Sequence, residues 1–579
     1  MSSSLTDPGT RRTTSEVLLA LDGPFASLAD GVAAGKYAFW IGSGISRDAV
    51  PGLPDLLRKC LVFLQERVTV GEPDCPYRQA LSEIFEAASL SASDVAAIDV
   101  DQPVDSWPNL DDVLHRLTNS YSKVLEVPVG GEDEEDFLLW EAIDVCETYA
   151  SNSLKPDAEH MCLAILILEG AVRFAASANW DGLIEESVRR LNGGTDHVLR
   201  VLVHEDEFRL PDARCDLIKF HGCAVMAKAD PTKYRRMLVA RKSQLAGWIQ
   251  NPDYAVALGR LTDLVATRPT LMVGLSAQDA NIQEIFSRAE ARLTWTWPSD
   301  PIAIVFAEEK IGQDQRLILK LVYGAAYHPN RVDIATSARL GSFAKPLLLG
   351  LVLYTLAAKL CALITSMQLP TMNDADLAEL RSGIYGLRDM LGGAAAEDFA
   401  DFTARFIQLW SLVLKTFRSG QPPAEDSERY EPLSAQPMHL AAVDPNFPLS
   451  ALRNLAVTAS LLGKGAARAD WTLTPGDPSM PGHGVCQIVG EDVGRSNVFI
   501  VQDSTVLAQL EASGVLDLAD PDVLAIHASP IPGQQRRSPA AHYGRAGTPS
   551  GREVAIGTVL EAAADADDLF ERFRLEAAI

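Results

Sequence analysis

The sequence lacks paired cysteines, an excess of positive charge and long apolar runs, and each absence excludes a class of protein. Its 8 cysteines are scattered and none lies in a CxxC pair, a usage typical of a reduced, cytosolic protein. Against 51 Lys and Arg stand 77 Asp and Glu, so the formal net charge at pH 7 is −26. That sign repels phosphate backbones and excludes a general nucleic-acid-coating role.

Long apolar runs are the third missing feature. The opening MSSSLTDPGTRRTTSE has no apolar core of the kind that a secretory signal peptide needs. The most apolar run, Pro346 to Ala358, is interrupted by Lys359 and is shorter than the roughly 18 residues that cross a bilayer. We therefore expect a buried helix at this run, and a cytoplasmic protein with no membrane partner.

What is present is the composition of a globular protein, with 47% hydrophobic and 22% charged residues. Short apolar runs alternate with helical patterns along the first half of the chain. Strands that alternate with helices pair in parallel, because parallel strands need crossover connections. The sequence therefore predicts an α/β fold with a doubly wound, Rossmann-like parallel sheet. Its candidate strands are 37–41, 172–178, 199–203, 216–220, 270–274 and 301–306.

The chain has 579 residues, which exceeds one ordinary domain. We predict an α/β domain over residues 1–334 with a helical insertion at about 72–159, and an apolar helical region over 335–420. A linker at 421–450 then precedes a small α/β domain at 451–579. In that domain a stretch without acidic residues is either a disordered loop or a basic surface that grips an acidic partner or nucleic acid. Its arginines are Arg536, Arg537, Arg545 and Arg552.

The first motif with chemical meaning is Gly42-Ser43-Gly44-Ile45-Ser46, directly after the first candidate strand. In an α/β sheet, ligands bind outside the carboxyl ends of strands. Glycines there let the backbone approach a pyrophosphate, whose charge is met by peptide N–H groups. A plain strand-to-helix turn would give the same short motif.

Polar residues also follow the next strands. Asn179 and Asp181 come after the second strand, where they either face a crevice or, for Asp181, cap the next helix. His221 follows Lys219 and Phe220 and can act as a base near neutral pH, although a lone histidine is more often structural.

A fourth motif follows the strand 270–274. Gly274, Ser276 and Asp279 offer a glycine, a hydroxyl and a carboxylate that suit a ribose. Helix capping by Ser276 or Asp279 is the alternative. All four motifs therefore lie where parallel strands end.

In this order, the motifs resemble those of the sirtuin (silent information regulator) superfamily. GSGIS resembles the GAGIS phosphate loop of that family, and Pro51-Gly52-Leu53-Pro54-Asp55 resembles its GIPD segment. SANWD resembles TQNID, KFHG resembles LHG, and VGLSAQD resembles the late Gly-Ser loop that holds the adenosine ribose. The resemblance covers roughly residues 15–310.

The departures from the family pattern narrow the resemblance. Protein-deacylating sirtuins hold a structural zinc with two CxxC pairs, whereas here only Cys215 and Cys223 lie near that region, so we predict no zinc. The aromatic residue that follows GIPD is replaced by Leu56. The sequence is more similar to zinc-less bacterial sirtuin-like proteins of antiphage defence, which hydrolyse NAD.

This resemblance implies a role for each motif in NAD+ glycohydrolysis, with nicotinamide and ADP-ribose as products. Asn179 would order the attacking water or a ribose hydroxyl, and His221 would accept the proton. Asp181 would face the nicotinamide amide. The other implied NAD-binding residues are Gly42, Ser43, Gly44 and Ser46 at the pyrophosphate, Asp55 in the GIPD-like segment, and Gly274, Ser276 and Asp279 at the adenosine ribose.

The resemblance also implies NAD depletion as an antiviral, abortive-infection response, gated by homo-oligomerisation or by a partner. The partner would be a HerA-type hexameric ATPase or, ranked below it, a short Argonaute. Two alternatives stay open: an NAD-dependent protein deacylase, and an assembly subunit whose NAD or nuclease activity is secondary. The nuclease ranks low because none of the four strand-end motifs contains a DxD or HxH metal cluster, so no metal site is predicted. The insertion at 72–159 is expected to act as a lid.

Overall fold

The computed structural model describes residues 12–293, 295–367, 371–395, 398–420, 429–441, 449–490, 494–529 and 551–579. Within these ranges the chain builds two β-sheets, one in each half of the sequence. Long helices of the central region contact elements of both halves. Arg536, Arg537 and Arg545 of the predicted basic stretch lie outside the described residues.

The first sheet is parallel throughout and confirms the predicted doubly wound α/β fold. Its strands are β1 (Ala38–Ile41), β2 (Phe174–Ser177), β3 (Leu199–Leu202), β4 (Cys215–Lys219), β5 (Thr270–Val273) and β6 (Ile304–Phe306). They lie in the order β3-β4-β2-β1-β5-β6. The adjacent strands β1 and β5 pair in parallel, and the chain leaves them toward opposite sides of the sheet. Such a reversal opens a crevice at the carboxyl ends of the two strands.

Helices cover both faces of this sheet, because successive side chains of its strands point to opposite faces. The helices of this half are α1 (Thr14–Asp22), α2 (Ala26–Ala33), α3 (Leu53–Gln65), α4 (Pro76–Ala87), α5 (Ala92–Ala97), α6 (Leu110–Thr118), α7 (Tyr121–Val124), α8 (Val145–Ala150), α9 (Ala158–Leu168), α10 (Leu183–Asn192), α11 (Ala224–Ala229), α12 (Pro231–Tyr234), α13 (Lys242–Gly247), α14 (Ala255–Thr267), α15 (Ala280–Ala289), α16 (Gln313–Tyr323) and α17 (Tyr327–Ser337). Phe39 and Ile41 of β1 join the apolar core formed with α1, α2, α9 and α10. Trp40 joins the opposite core, formed with α3, α14, α15 and α16.

The segment predicted as an insertion contains α4 to α8. Neighbouring acidic residues of this insertion form ion pairs with arginines that follow β4 in the sequence. Asp136 accepts two hydrogen bonds from Arg235, at 2.9 and 2.6 Å, and Glu135 accepts one from Arg241 at 2.7 Å. These pairs fasten the insertion to the segment that follows His221.

The central region is formed by long helices around one apolar helix. Its helices are α18 (Ala344–Thr365), α19 (Asp374–Ala394), α20 (Phe399–Ser419), α21 (Met438–Ala441) and α22 (Leu449–Ala467). Among the described residues α18 alone has the length and composition to cross a membrane, but most of it is buried inside the protein. It is longer than the predicted apolar run because Lys359 continues the helix instead of ending it.

Lys359 is accommodated by a buried ion pair with Glu169, the residue that follows α9. The two side chains are 0% and 1% exposed. The ammonium also donates to the carbonyls of Glu169 and Ser434, each at 2.7 Å. The other carboxylate oxygen accepts from Tyr430 Oη at 2.7 Å and from the Leu433 N–H at 2.8 Å. The described part of the predicted linker is therefore packed against both α9 and α18.

Two glycines allow α19 and α22 to cross closely. A Cβ atom on Gly383 would lie 2.2 Å from the Ser460 carbonyl oxygen. One on Gly463 would lie 2.1 Å from the Gly383 carbonyl oxygen. The opposing backbones leave no room for a side chain at either position.

The second sheet is mixed and carries the helices at the end of the chain. Its strands are β7 (Thr472–Pro475), β8 (Cys486–Gly490), β9 (Gly494–Val501), β10 (Val523–His527) and β11 (Arg552–Ala555), and its helices are α23 (Ser504–Ala512), α24 (Ile556–Ala562) and α25 (Ala566–Ala577). The order is β11-β10-β9-β8-β7, with β9 to β11 parallel and β7 and β8 antiparallel. Arg552 is buried, where its guanidinium donates to the carbonyls of Ala577 and Ala578. This arginine of the predicted basic stretch therefore holds the last helix rather than facing a partner.

Candidate functional site

The crevice between β1 and β5 is built from two interlocked glycine loops. Gly42 donates to the Val273 carbonyl at 3.1 Å, and Gly44 donates to the Gly274 carbonyl at 3.0 Å. A Cβ atom on Gly42 would lie 2.3 Å from the Gly274 carbonyl oxygen. Gly274 itself has a φ of +64°, a conformation that favours glycine. The glycines are thus required by the neighbouring loop, independently of any ligand.

A cavity of about 880 Å³ opens at this crevice. That volume lies in the range of pockets that bind cofactor-sized ligands. Four of the predicted site residues line it: Ser43, Gly44, Gly274 and Ser276. The sequence did not indicate the rest of the wall, which includes Arg47, Asp48, Glu159, Gln278, Glu308, Lys310 and the segment from Ser342 to Pro346 that leads into α18.

Asn179 lies beside the first loop, and its amide orientation is fixed. The side-chain Nδ2 donates to the Gly42 carbonyl and to Ser46 Oγ, each at 3.2 Å. Its Oδ1 atom is buried and has no hydrogen-bond partner among the described residues. Buried polar atoms are rarely left unpaired, so a free acceptor here is suited to a bound molecule.

Ser46 is held from its other side by His160, a residue that the sequence did not single out. Ser46 Oγ and His160 Nε2 are 3.0 Å apart. The Asp157 N–H donates to His160 Nδ1 at 3.2 Å, so Nδ1 is unprotonated. Burial lowers the pKa of His160, which keeps the ring neutral. The remaining proton is then on Nε2, and His160 donates it to Ser46.

His221 is buried at the end of β4 and contacts a second residue that the sequence did not select. Its Nε2 lies 2.8 Å from Nδ2 of Asn281. Burial lowers the pKa of His221, and the nearby Asp279 carboxylate opposes that shift. Asn281 Oδ1 is buried and has no hydrogen-bond partner within the described part of the chain. The only sequence signal for Asn281 was its place two residues after Asp279.

Asp181 and Asp55 have capping roles. The Leu183 N–H donates to Asp181 Oδ1 at 3.2 Å, which is the helix-capping alternative. Asp181 is nonetheless buried beside Asn179 at the end of β2. Asp55 accepts from the Gly52 N–H at 3.2 Å at the start of α3, and it is exposed and absent from the cavity wall.

Asp279 is contacted by the insertion. Tyr121 of α7 donates to Asp279 Oδ1 at 3.0 Å, and burial raises the pKa of that phenol. Asp279 makes no capping hydrogen bond to α15, so this alternative is not observed. The insertion therefore reaches the loop predicted to hold the adenosine ribose.

The predicted residues meet at one sheet edge but not in one cavity. The cavity is lined by Ser43, Gly44, Gly274 and Ser276, whereas Asn179, Asp181 and His221 are buried and absent from its wall. Three carboxylates on the cavity side, from Asp48, Asp157 and Glu159, are close enough to hold a cation. The Lys345 ammonium already lies among them.

Comparison with known families supports the sirtuin-like resemblance. Residues 173–338 match the SIR2-like domain, a family that uses NAD. The match covers β2 to β6, including Asn179, His221 and the Gly274 loop, while β1 and its glycine loop precede it. A search of curated proteins found no match to the chain.

Proposed function

We propose that this protein hydrolyses NAD+ to nicotinamide and ADP-ribose in the cytoplasm. The observation that carries the proposal is the unpaired Oδ1 of Asn179, fixed beside the glycine loop of a SIR2-like domain. Cleavage of the bond between nicotinamide and ribose develops positive charge on the ribose. A fixed acceptor at this point can hold a water molecule with its lone pairs directed at that carbon.

Ser46 and His160 support this position of Asn179. The Ser46 hydroxyl receives hydrogen bonds from Asn179 and, in the tautomer that His160 adopts, from Nε2 of the imidazole. Its own proton is then available to a ligand group beside the loop. Ser43, Gly44, Gly274 and Ser276 would surround the pyrophosphate and the adenosine half of NAD.

His221 is suited to take the proton that water loses. Burial keeps its imidazole neutral at pH 7, which is the form that accepts a proton. Nε2 faces Asn281, whose amide can donate to the neutral ring and, after rotation, accept from the protonated one. Asn281 would therefore steady His221 in both states.

The proposal extends to NAD depletion in antiphage defence, gated by oligomerisation or by a HerA-type ATPase or a short Argonaute. The contact between Tyr121 and Asp279 supports a lid role for the insertion, because opening the lid must break it. Hydrolysis by isolated protomers should be slow, and assembly should increase it. The resemblance in sequence is the only basis for naming these two partners.

The decisive experiment measures NAD loss and its products with purified protein, in the presence and absence of the triggered cellular complex. Asn179→Ala should lower turnover by about 10²–10⁴-fold, the usual effect of losing one positioned polar group. Asn192→Ala is the matched control, since Asn192 is exposed at the end of α10. Free ADP-ribose supports hydrolysis, whereas an acylated ADP-ribose supports deacylation. Equal turnover by wild type and Asn179→Ala would disprove the assignment.

A further inference from the structure

Three carboxyl groups surround one ammonium at the wall of the cavity. Lys345 Nζ lies 2.6 Å from Asp48 Oδ2, 3.0 Å from Asp157 Oδ2 and 4.0 Å from Glu159 Oε2. Asp48, Glu159 and Lys345 all line the cavity. Glu159 is 5% exposed, and in the ranges that the structure describes its Oε2 has no hydrogen-bond partner. The ammonium is therefore the charge that holds these carboxyl groups together.

The carboxyl groups belong to the two segments that position Ser46. Asp48 follows Ser46 in the first glycine loop. Asp157 caps α9, and its N–H fixes the ring of His160 against Ser46. Lys345, from the first turn of α18, thus bridges the loop and the helix on either side of one hydroxyl.

Removing the ammonium would leave like charges facing each other. The carboxyl oxygens all lie within 4.8 Å of one another, a distance at which repulsion between ionised groups is substantial at the edge of a protein interior. Burial raises the pKa of Glu159 to about 8, and Lys345 opposes that rise. Without Lys345, the carboxylates of Asp48 and Asp157 would face each other whether or not Glu159 is protonated, so the loop and α9 would move apart.

We propose that Lys345 is the positioning residue through which the central helical region assembles the nucleotide cavity. Lys345 lies beyond the SIR2-like match and beyond the predicted catalytic domain. Nucleotide binding at the glycine loops then depends on α18 and the helices packed against it. This inference rests on the proposed function for the identity of the nucleotide and is independent of whether NAD is hydrolysed.

The test compares Lys345→Met with Lys345→Arg in the full-length chain. Calorimetric titration with ADP-ribose should show binding weakened about tenfold or more by Lys345→Met, and within about threefold of wild type for Lys345→Arg. Lys345→Met/Asp157→Asn removes one repelling charge and keeps a helix-capping side chain, so it should recover part of the affinity. Hydrogen exchange over 42–48 provides a readout without ligand, and Lys345→Met should accelerate it about tenfold.

Lys464 offers a matched control. Its ammonium also bridges two carboxylates of other helices, Glu379 and Asp567, and it is 7% exposed but absent from the cavity wall. Lys464→Met should leave ADP-ribose affinity and exchange at 42–48 unchanged. Unchanged affinity and exchange in Lys345→Met, or equal effects in Lys464→Met, would overturn the proposal. ADP-ribose binding without NAD loss by wild type in the triggered complex would refute hydrolysis alone.

Discussion

The buried ion pair between Lys359 and Glu169 leads to the sharpest stability prediction. Lys359→Met removes the ammonium and leaves a carboxylate that is 1% exposed without its counter-ion. The carbonyls of Glu169 and Ser434 also each lose a hydrogen bond from the ammonium. Breaking a buried pair from one side typically costs about 3–5 kcal/mol. Hydrogen bonds from Tyr430 and Leu433 still stabilise the carboxylate, so we expect about 3 kcal/mol.

Hydrogen exchange of the α9 amides is the appropriate assay, because a chain with two sheets need not unfold in one step. A loss of about 3 kcal/mol in the free energy of local unfolding corresponds to roughly a hundredfold faster amide exchange, if local unfolding is at equilibrium. Glu169→Gln in the same chain neutralises the stranded charge. The double variant Lys359→Met/Glu169→Gln should therefore lose less free energy of unfolding than the two single variants lose together, by about 1–3 kcal/mol.

Two results would refute this reasoning. One is exchange in Lys359→Met within a few fold of wild type, since the ammonium would then contribute little to holding α9. The other is strict additivity of the two substitutions, which would mean that the side chains act independently. Either result would remove the explanation for a lysine in the middle of α18.

Further predictions concern packing, titration and the lid. Gly463→Ala should lower the free energy of unfolding by about 1–3 kcal/mol through overpacking, whereas Gly259→Ala, in open space on α14, should be neutral or slightly stabilising. Burial shifts the pKa of Glu159 from 4.5 to about 8, so the stability due to its neutral form is lost as pH rises through that window. Glu159→Gln should therefore raise the melting temperature at pH 8 and change it little at pH 5 in a scanning calorimeter; an equal effect at both would contradict the shift. Tyr121→Phe should speed exchange of the α7 amides about tenfold by removing the hydrogen bond to Asp279, and unchanged exchange would show that this hydrogen bond does not hold α7 in place.

The fold could be predicted because its strands are buried on both faces and therefore appear as apolar runs. AFWI at β1 and TLMV at β5 show this pattern, and the crossover rule then gives parallel pairing. Element ends were less predictable. The candidate strand 172–178 extends only from Phe174 to Ser177, and α18 continues past Lys359 because a glutamate far away in sequence neutralises it.

The candidate site was predictable only where it follows strand ends. Ser43, Gly44, Gly274 and Ser276 line the cavity because loops after parallel strands meet at one edge. His160, Asn281 and Lys345 come from helices, and their patterns in sequence indicate a helix start or an ordinary polar face. Their role depends on which side chains they contact in the fold, and a single sequence does not show which distant residues are in contact. The catalytic roles of Asn179 and His221 stay predictions.

The position of α18 has a practical consequence for dissecting the protein. This helix packs against α1, α2 and α9, which precede it, and against α19 and α22, which follow it. During synthesis, α18 therefore leaves the ribosome before α19 and α22 have been made. A chain cut at residue 334 would lack α18 and would expose the apolar groove that this helix fills. Truncation at the apparent domain boundary should yield aggregates rather than a minimal enzyme. Shorter versions for crystallisation should retain α18 and the helices on both sides of it.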